Sequence, residues 1–186
     1  MTLDLLEMPE LEDLTLYQQL VDNKADLNSP DLLPNAGELH AAIAMAKLLD
    51  KTDKEVKMVL GSFSGAVSDQ PNYLKSLENC LDRDVKFKII FLGKPNKKSK
   101  AYKLLLSKQE TGRDINFANA SSSFIKKLTH SDGEKHFSVY DNNKFRFEKD
   151  TKKYLAFFSF NDDDKAQALN KIFDAEWQSV CHSLPA

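Results

Sequence analysis

Hydrophobic positions along this chain change period several times, and each change marks an element. Residues 3–22 place Leu3, Leu6, Leu11, Leu14, Tyr17, Leu20 and Val21 at loosely helical spacing, broken by Pro9, which predicts one or two short helices. Residues 23–36 are polar with two prolines and read as a loop or linker. Asn35 then predicts the cap of a helix running to about Leu49, with Ala41, Ile43, Ala44, Ala46, Leu48 and Leu49 apolar. Alternation begins at Glu55–Ser62, a strand with Val56, Met58 and Leu60 on one face. A turn at Gly61–Gly65 leads to a helix over Pro71–Leu81, apolar at Leu74, Leu77 and Leu81. Val85–Leu92 is a strand whose apolar end belongs inside a sheet. After a turn at Gly93–Asn96 come a lysine-rich helix over Ser99–Leu106 and a strand over Asp114–Ala118. Phe124, Ile125 and Leu128 mark a short helix before a turn at Ser131–Gly133.

This β-α-β-α-β order implies a parallel sheet with crossover helices. The later pattern differs. Strands His136–Asp141 and Lys144–Glu148 flank Asn142-Asn143, which suits a two-residue hairpin turn. Tyr154–Phe160 is too apolar for a sheet edge. Asn161 and Asp162 cap a final helix whose apolar stripe is Ala166, Leu169, Ile172, Phe173 and Trp177. The fold class expected is α/β: a mixed, partly parallel sheet with helices on both faces. The expected division is an acidic helical segment and linker over residues 1–36 and an α/β domain over residues 37–186.

Composition narrows the picture. The 186 residues are 41% hydrophobic and 29% charged with a net charge of −2, ordinary for one globular core and against a strongly basic nucleic-acid binder. No apolar run reaches a membrane span, and the acidic start does not read as a signal peptide, so a cytoplasmic protein is expected. Cys80 and Cys181 read as free thiols. The charge is unevenly spread: residues 1–53 carry −8, residues 54–109 carry +7 and residues 110–186 carry −1. An acidic front of that kind is a candidate surface for a protein partner.

Two features carry candidate chemistry. His136 opens a strand, where an imidazole can serve as nucleophile or general acid. Ser159 and Asn161 share one strand face just before a helix N-terminus, where donors favour an anion. Each also has a plain structural role, as a strand-end histidine and a helix cap. Together they resemble the C-terminal half of the phospholipase D-like superfamily. Its motif is His, any residue, Lys, four residues and Asp, followed by Ser-x-Asn on the next strand. The Gly61–Gly65 loop and the strand and turn from Val85 to Asn96 fit the same architecture. His136 matches the histidine, while Ser138 stands where the lysine should be. Asp141 comes five residues after the histidine rather than seven. Ser159 and Asn161 match the Ser-x-Asn.

The resemblance implies a histidine that attacks phosphorus while the lysine and asparagine hold the oxygens, and a single-lobe chain that dimerises to join two histidines. A serine cannot replace an ammonium in that role. The expected function is therefore a non-catalytic phospholipase D-like domain acting as an interaction or regulatory module. The alternative is a metal-independent phosphodiesterase or nuclease working as a homodimer through His136. A lysine patch, Lys94, Lys97, Lys98 and Lys100, continued by Lys103 and Lys108, is a candidate contact for nucleic acid, with a solvated helix face as the plain alternative. Arg146, alternating with Phe145 and Phe147, is a second candidate phosphate or carboxylate contact. His40, His130 and His182 show no ligand spacing, and no metal or cofactor is expected.

Overall fold

Asp13 accepts the backbone N–H groups of Thr15 and Leu16, a carboxylate cap for helix α1, Leu14–Asp26. The structure is a computed structural model describing residues 13–131 and 133–181; the apolar positions before Asp13, the turn residue Asp132 and His182 lie outside them. Then follow β1 (Leu33–Asn35), α2 (Glu38–Asp50), β2 (Glu55–Leu60), α3 (Pro71–Asp82), β3 (Lys86–Phe91), α4 (Lys100–Glu110) and β4 (Ile115–Asn119). The second half comprises α5 (Ser122–Leu128), the small ribbon β5 (Thr129–His130) with β6 (Gly133–Glu134), β7 (His136–Tyr140), β8 (Lys144–Asp150), β9 (Leu155–Ser159) and α6 (Asp163–Cys181).

Seven strands form one sheet in the order β1-β9-β8-β7-β2-β3-β4. The pairs β2–β3 and β3–β4 are parallel and all other pairs of this sheet are antiparallel. The sheet is therefore mixed, with helices on both faces. On one face Val56, Met58, Phe87, Ile89, Tyr140 and Phe158 pack with residues of α1 to α4. On the other, Val59, Ile90, Phe137, Val139 and Phe145 pack with Phe124 of α5 and Ala166 and Phe173 of α6. Ile172 of the expected α6 stripe is 45% exposed, and Asn170 is buried in that helix instead.

The sequence boundary at residue 36 does not separate two units among the described residues. Tyr17, Val21 and Ala25 of α1 are buried in the same core as α2 and α3, and β1 is hydrogen-bonded to β9. Three residues of strand are too few to show alternation, which is why residues 33–35 read as linker. Asn35 does not cap α2, whose N-cap is Gly37 at φ 86. The Asn35 side chain instead donates to the carbonyl of Tyr154, 2.6 Å away.

The β7–β8 turn also differs from its expected form. Tyr140 pairs with Lys144, so three residues lie between them, and the left-handed positions are Asp141 (φ 52) and Asn142 (φ 67). The turn projects Asp141 over the start of β2, where its carboxylate accepts the N–H groups of Asp53, Lys54 and Glu55 at 2.8, 2.7 and 3.1 Å. Burial pushes this carboxyl up, but those three N–H groups and Lys144 outweigh it and hold it below the usual range. A carboxyl depressed in the folded state stabilises fully above its unfolded pKa, about 4, and loses that contribution as pH falls through the folded value. Asp141→Ala is expected to lower stability by about 1–3 kcal/mol at neutral pH. Urea unfolding at neutral and acidic pH checks this, because the gap to the parent protein should close as the solution becomes more acidic.

Candidate functional site

Register decides which side chains meet. Residues directly opposite in paired strands share a face. His136 lies opposite Glu148, which lies opposite Ala156, which lies opposite Asn35. One step along, Ser138 lies between Met58 and Arg146. These rows place His136, Ser138, Arg146, Glu148 and Asn35 on the face covered by α1 to α4.

The groups bond to one another. Glu148 Oε2 lies 3.0 Å from His136 Nδ1, and its Oε1 accepts from Arg146 Nη2 at 2.9 Å. Arg146 Nε donates to Asn35 Oδ1 at 3.1 Å. The second imidazole nitrogen, Nε2, lies 3.4 Å from Glu134 Oε2. Ser138 donates its hydroxyl hydrogen to the Tyr140 oxygen at 3.0 Å. Arg146 is 5% exposed and Glu148 6%, so both charges are desolvated and depend on each other. Burial pushes the Glu148 carboxyl up, yet the bonds from His136 and Arg146 prevail and hold it below the usual range. Burial pushes the Tyr140 hydroxyl up to about 12 despite the Ser138 bond and the nearby guanidinium.

Gly61 lies against the imidazole. A Cβ there would meet His136 Cε1 and Nε2 at 3.4 Å. Beyond Gly61 the chain turns through Phe63, a buried residue held at φ 59, and Gly65 at φ 98. This loop, the β7–β8 face and α3 enclose a cavity of about 290 Å³. It lies at the carboxyl end of β2, where open α/β sheets commonly hold ligands.

Ser159 and Asn161 do not join this group. Ser159 lies opposite Phe145, whose ring belongs to the α5–α6 core. Strands β7 and β9 run in the same direction, so His136 at the start of one and Asn161 past the end of the other lie at opposite ends of the sheet. Asn161 Oδ1 accepts from Asn143, and the Ser159 hydroxyl accepts the N–H of Asn161. The next strand in the chain, β8, pairs with that of His136, and its residues facing His136 and Ser138 are Glu148 and Arg146. Arg146 and Glu148, rather than Ser159 and Asn161, stand directly across from Ser138 and His136. Arg146 is a buried member of the network and does not lie on an open polar hairpin face.

The lysines Lys94, Lys97, Lys98, Lys100 and Lys103 are all exposed, whereas Lys108 is paired with Asp82 at 2.6 Å. Their loop adjoins the cavity loop: Gly93 donates its N–H to Gly61 O at 3.1 Å, and Asn96 to Ser62 O at 2.7 Å. Asp69 caps α4 by accepting from the Ser99 hydroxyl and the N–H of Lys100. Among the described residues no group of three His, Cys, Asp or Glu side chains could hold a metal ion, and no helix is long and apolar enough to cross a membrane.

This architecture is the phospholipase D-like fold. A phospholipase D family member, Nuc from Salmonella typhimurium, superposes with a TM-score of 0.56 at 17% identity, over 80% of this chain and 95% of that one. NucT from Helicobacter pylori gives 0.53 at 9% identity, over 81% of this chain and 98% of that one. TrmBL2, an archaeal chromatin protein described with a novel mode of DNA binding, gives 0.52 at 13% identity, over 89% of this chain but 60% of its own. No family model and no curated protein matches the sequence.

If the network holds as a unit, breaking it from one side should cost more than removing it. Glu148→Leu strands a buried guanidinium and is expected to cost about 3–5 kcal/mol, whereas Arg146→Leu combined with Glu148→Leu should recover most of that loss. Urea midpoints of the two single variants and the double variant measure the coupling.

Proposed function

We propose that this chain is a non-catalytic phospholipase D-like module that contacts nucleic acid through the lysine loop following β3. One observation carries the first part. Nδ1 of His136 is oriented by Glu148, as a nucleophile would need, but the group beside Nε2 is the Glu134 carboxylate rather than a cation. The guanidinium nearest to it is already paired with Glu148. A phosphodiester anion approaching Nε2 would meet negative charge where stabilisation of its oxygens is required. The hydroxyl at Ser138 supplies no charge either.

The second part is supported by the surface. Lys94, Lys97, Lys98 and Lys103 are exposed, and no carboxylate among the described residues pairs with them. They occupy one loop and the first turns of α4, a spacing that suits successive backbone phosphates. The neighbours in fold include an archaeal chromatin protein described with a novel mode of DNA binding, which agrees with this reading.

Two measurements test it. The protein is expected to show no metal-independent hydrolysis of bis-p-nitrophenyl phosphate above the level of His136→Ala; turnover that this substitution abolishes would instead support a phosphodiesterase acting through His136. Duplex DNA binding is expected to weaken with salt, at a log–log slope of about −3 to −4 if four lysines each neutralise a phosphate. Lys97→Glu with Lys98→Glu should abolish the gel shift. A shift that neither salt nor these substitutions reduce would overturn the lysine-loop interface.

A further inference from the structure

The cavity has properties that a relic of catalysis does not require. Tyr73 of α3 is 0% exposed and lines it, yet its hydroxyl has no partner among the described residues. An unpaired buried hydroxyl is costly, which makes it a place where a guest atom adds stabilisation. Arg146 lines the same space. One edge of its guanidinium is engaged through Nε and Nη2 by Asn35 and Glu148, which leaves the edge formed by Nη1 and the second Nη2 hydrogen to donate. Much of the remaining wall is apolar, including Met45, Met58 and Phe63.

Charge selects the guest. Arg146 contributes one positive charge, while Glu148 and Glu134 contribute two negative ones within the same wall. With neutral His136 the lining is net negative, and with charged His136 it is balanced. Neither case favours an anion, least of all a phosphate dianion. The volume of about 290 Å³ sits at the small end of the range of ligand pockets. We propose that this cavity binds a small uncharged organic molecule. Its carbonyl or hydroxyl oxygen accepts from Arg146 and Tyr73, and its apolar body lies against Met45, Met58 and Phe63. The reading is independent of nucleic-acid binding, because the lysine loop lies outside the cavity wall.

Methionine labelling gives a direct readout. Of the four methionines, Met45 and Met58 line the cavity. The probes are benzamide, benzoate and phenyl phosphate, which share a ring and differ in charge. Benzamide is expected to shift the methyl signals of Met45 and Met58 saturably. Benzoate and phenyl phosphate should bind at least about tenfold more weakly. Tyr73→Phe removes only the orphan oxygen, so its methyl spectrum should stay dispersed while its benzamide affinity falls several-fold. Val67→Trp, a half-buried loop position on the cavity wall, should block the shifts altogether. The proposal is overturned if benzamide on the order of 10 mM moves neither methyl, if phenyl phosphate binds as tightly, or if Tyr73→Phe binds as well as the parent.

Discussion

A guanidinium only 5% exposed cannot stand in the interior of a sheet without a carboxylate beside it, and that requirement organises the centre of this protein. Arg146 projects from β8 beneath α2 and α3, and Glu148 of the same strand and face neutralises it. Glu148 in turn reaches His136 across the pair β7–β8, and Asn35 closes the other side from β1. Three strands are thereby tied by polar bonds through a layer that is otherwise filled by aromatic and aliphatic side chains. The short β1 gains a role from this: Asn35 bonds Arg146 and the Tyr154 carbonyl, fixing a strand of three residues at the sheet edge.

The same pairing limits what the site can do. A phosphoryl site needs positive charge that has not been spent on a neighbour. Here the internal cation is neutralised, the hydroxyl at Ser138 is committed to Tyr140, and a second carboxylate faces the imidazole. The imidazole lies against Gly61, and the charged groups that touch it are carboxylates. Free positive charge lies one loop further out, on Lys94, Lys97 and Lys98, where water screens it and a polyanion can reach it.

Most elements were legible because their patterns are local. The α3 stripe at Leu74, Leu77 and Leu81, the alternation of Val56, Met58 and Leu60, and the apolar core of β9 each declared an element of the right type. What the sequence hid is non-local. Nothing in the chain shows that Glu148 faces His136, since that follows from the three-residue turn and its register. Ser159-Phe160-Asn161 spells a motif, yet it lies at the other end of the sheet from His136. The residues in the relevant place, Arg146-Phe147-Glu148, have a different chemistry. Asn35 and Tyr73 carried no signal, because a buried asparagine and an orphan hydroxyl look in sequence like a helix cap and a core aromatic.

The central claim is that the imidazole of His136 is held by carboxylates and is not available to a phosphoryl group. Long-range correlation of its ring nitrogens with their carbon-bound protons, followed while dimethyl phosphate is added, reports on this most directly. Both nitrogen signals are expected to stay where they are as the diester is titrated, with Nδ1 retaining a bonded proton directed at Glu148. A saturable displacement of Nε2 by the diester would show a working phosphate site and contradict it.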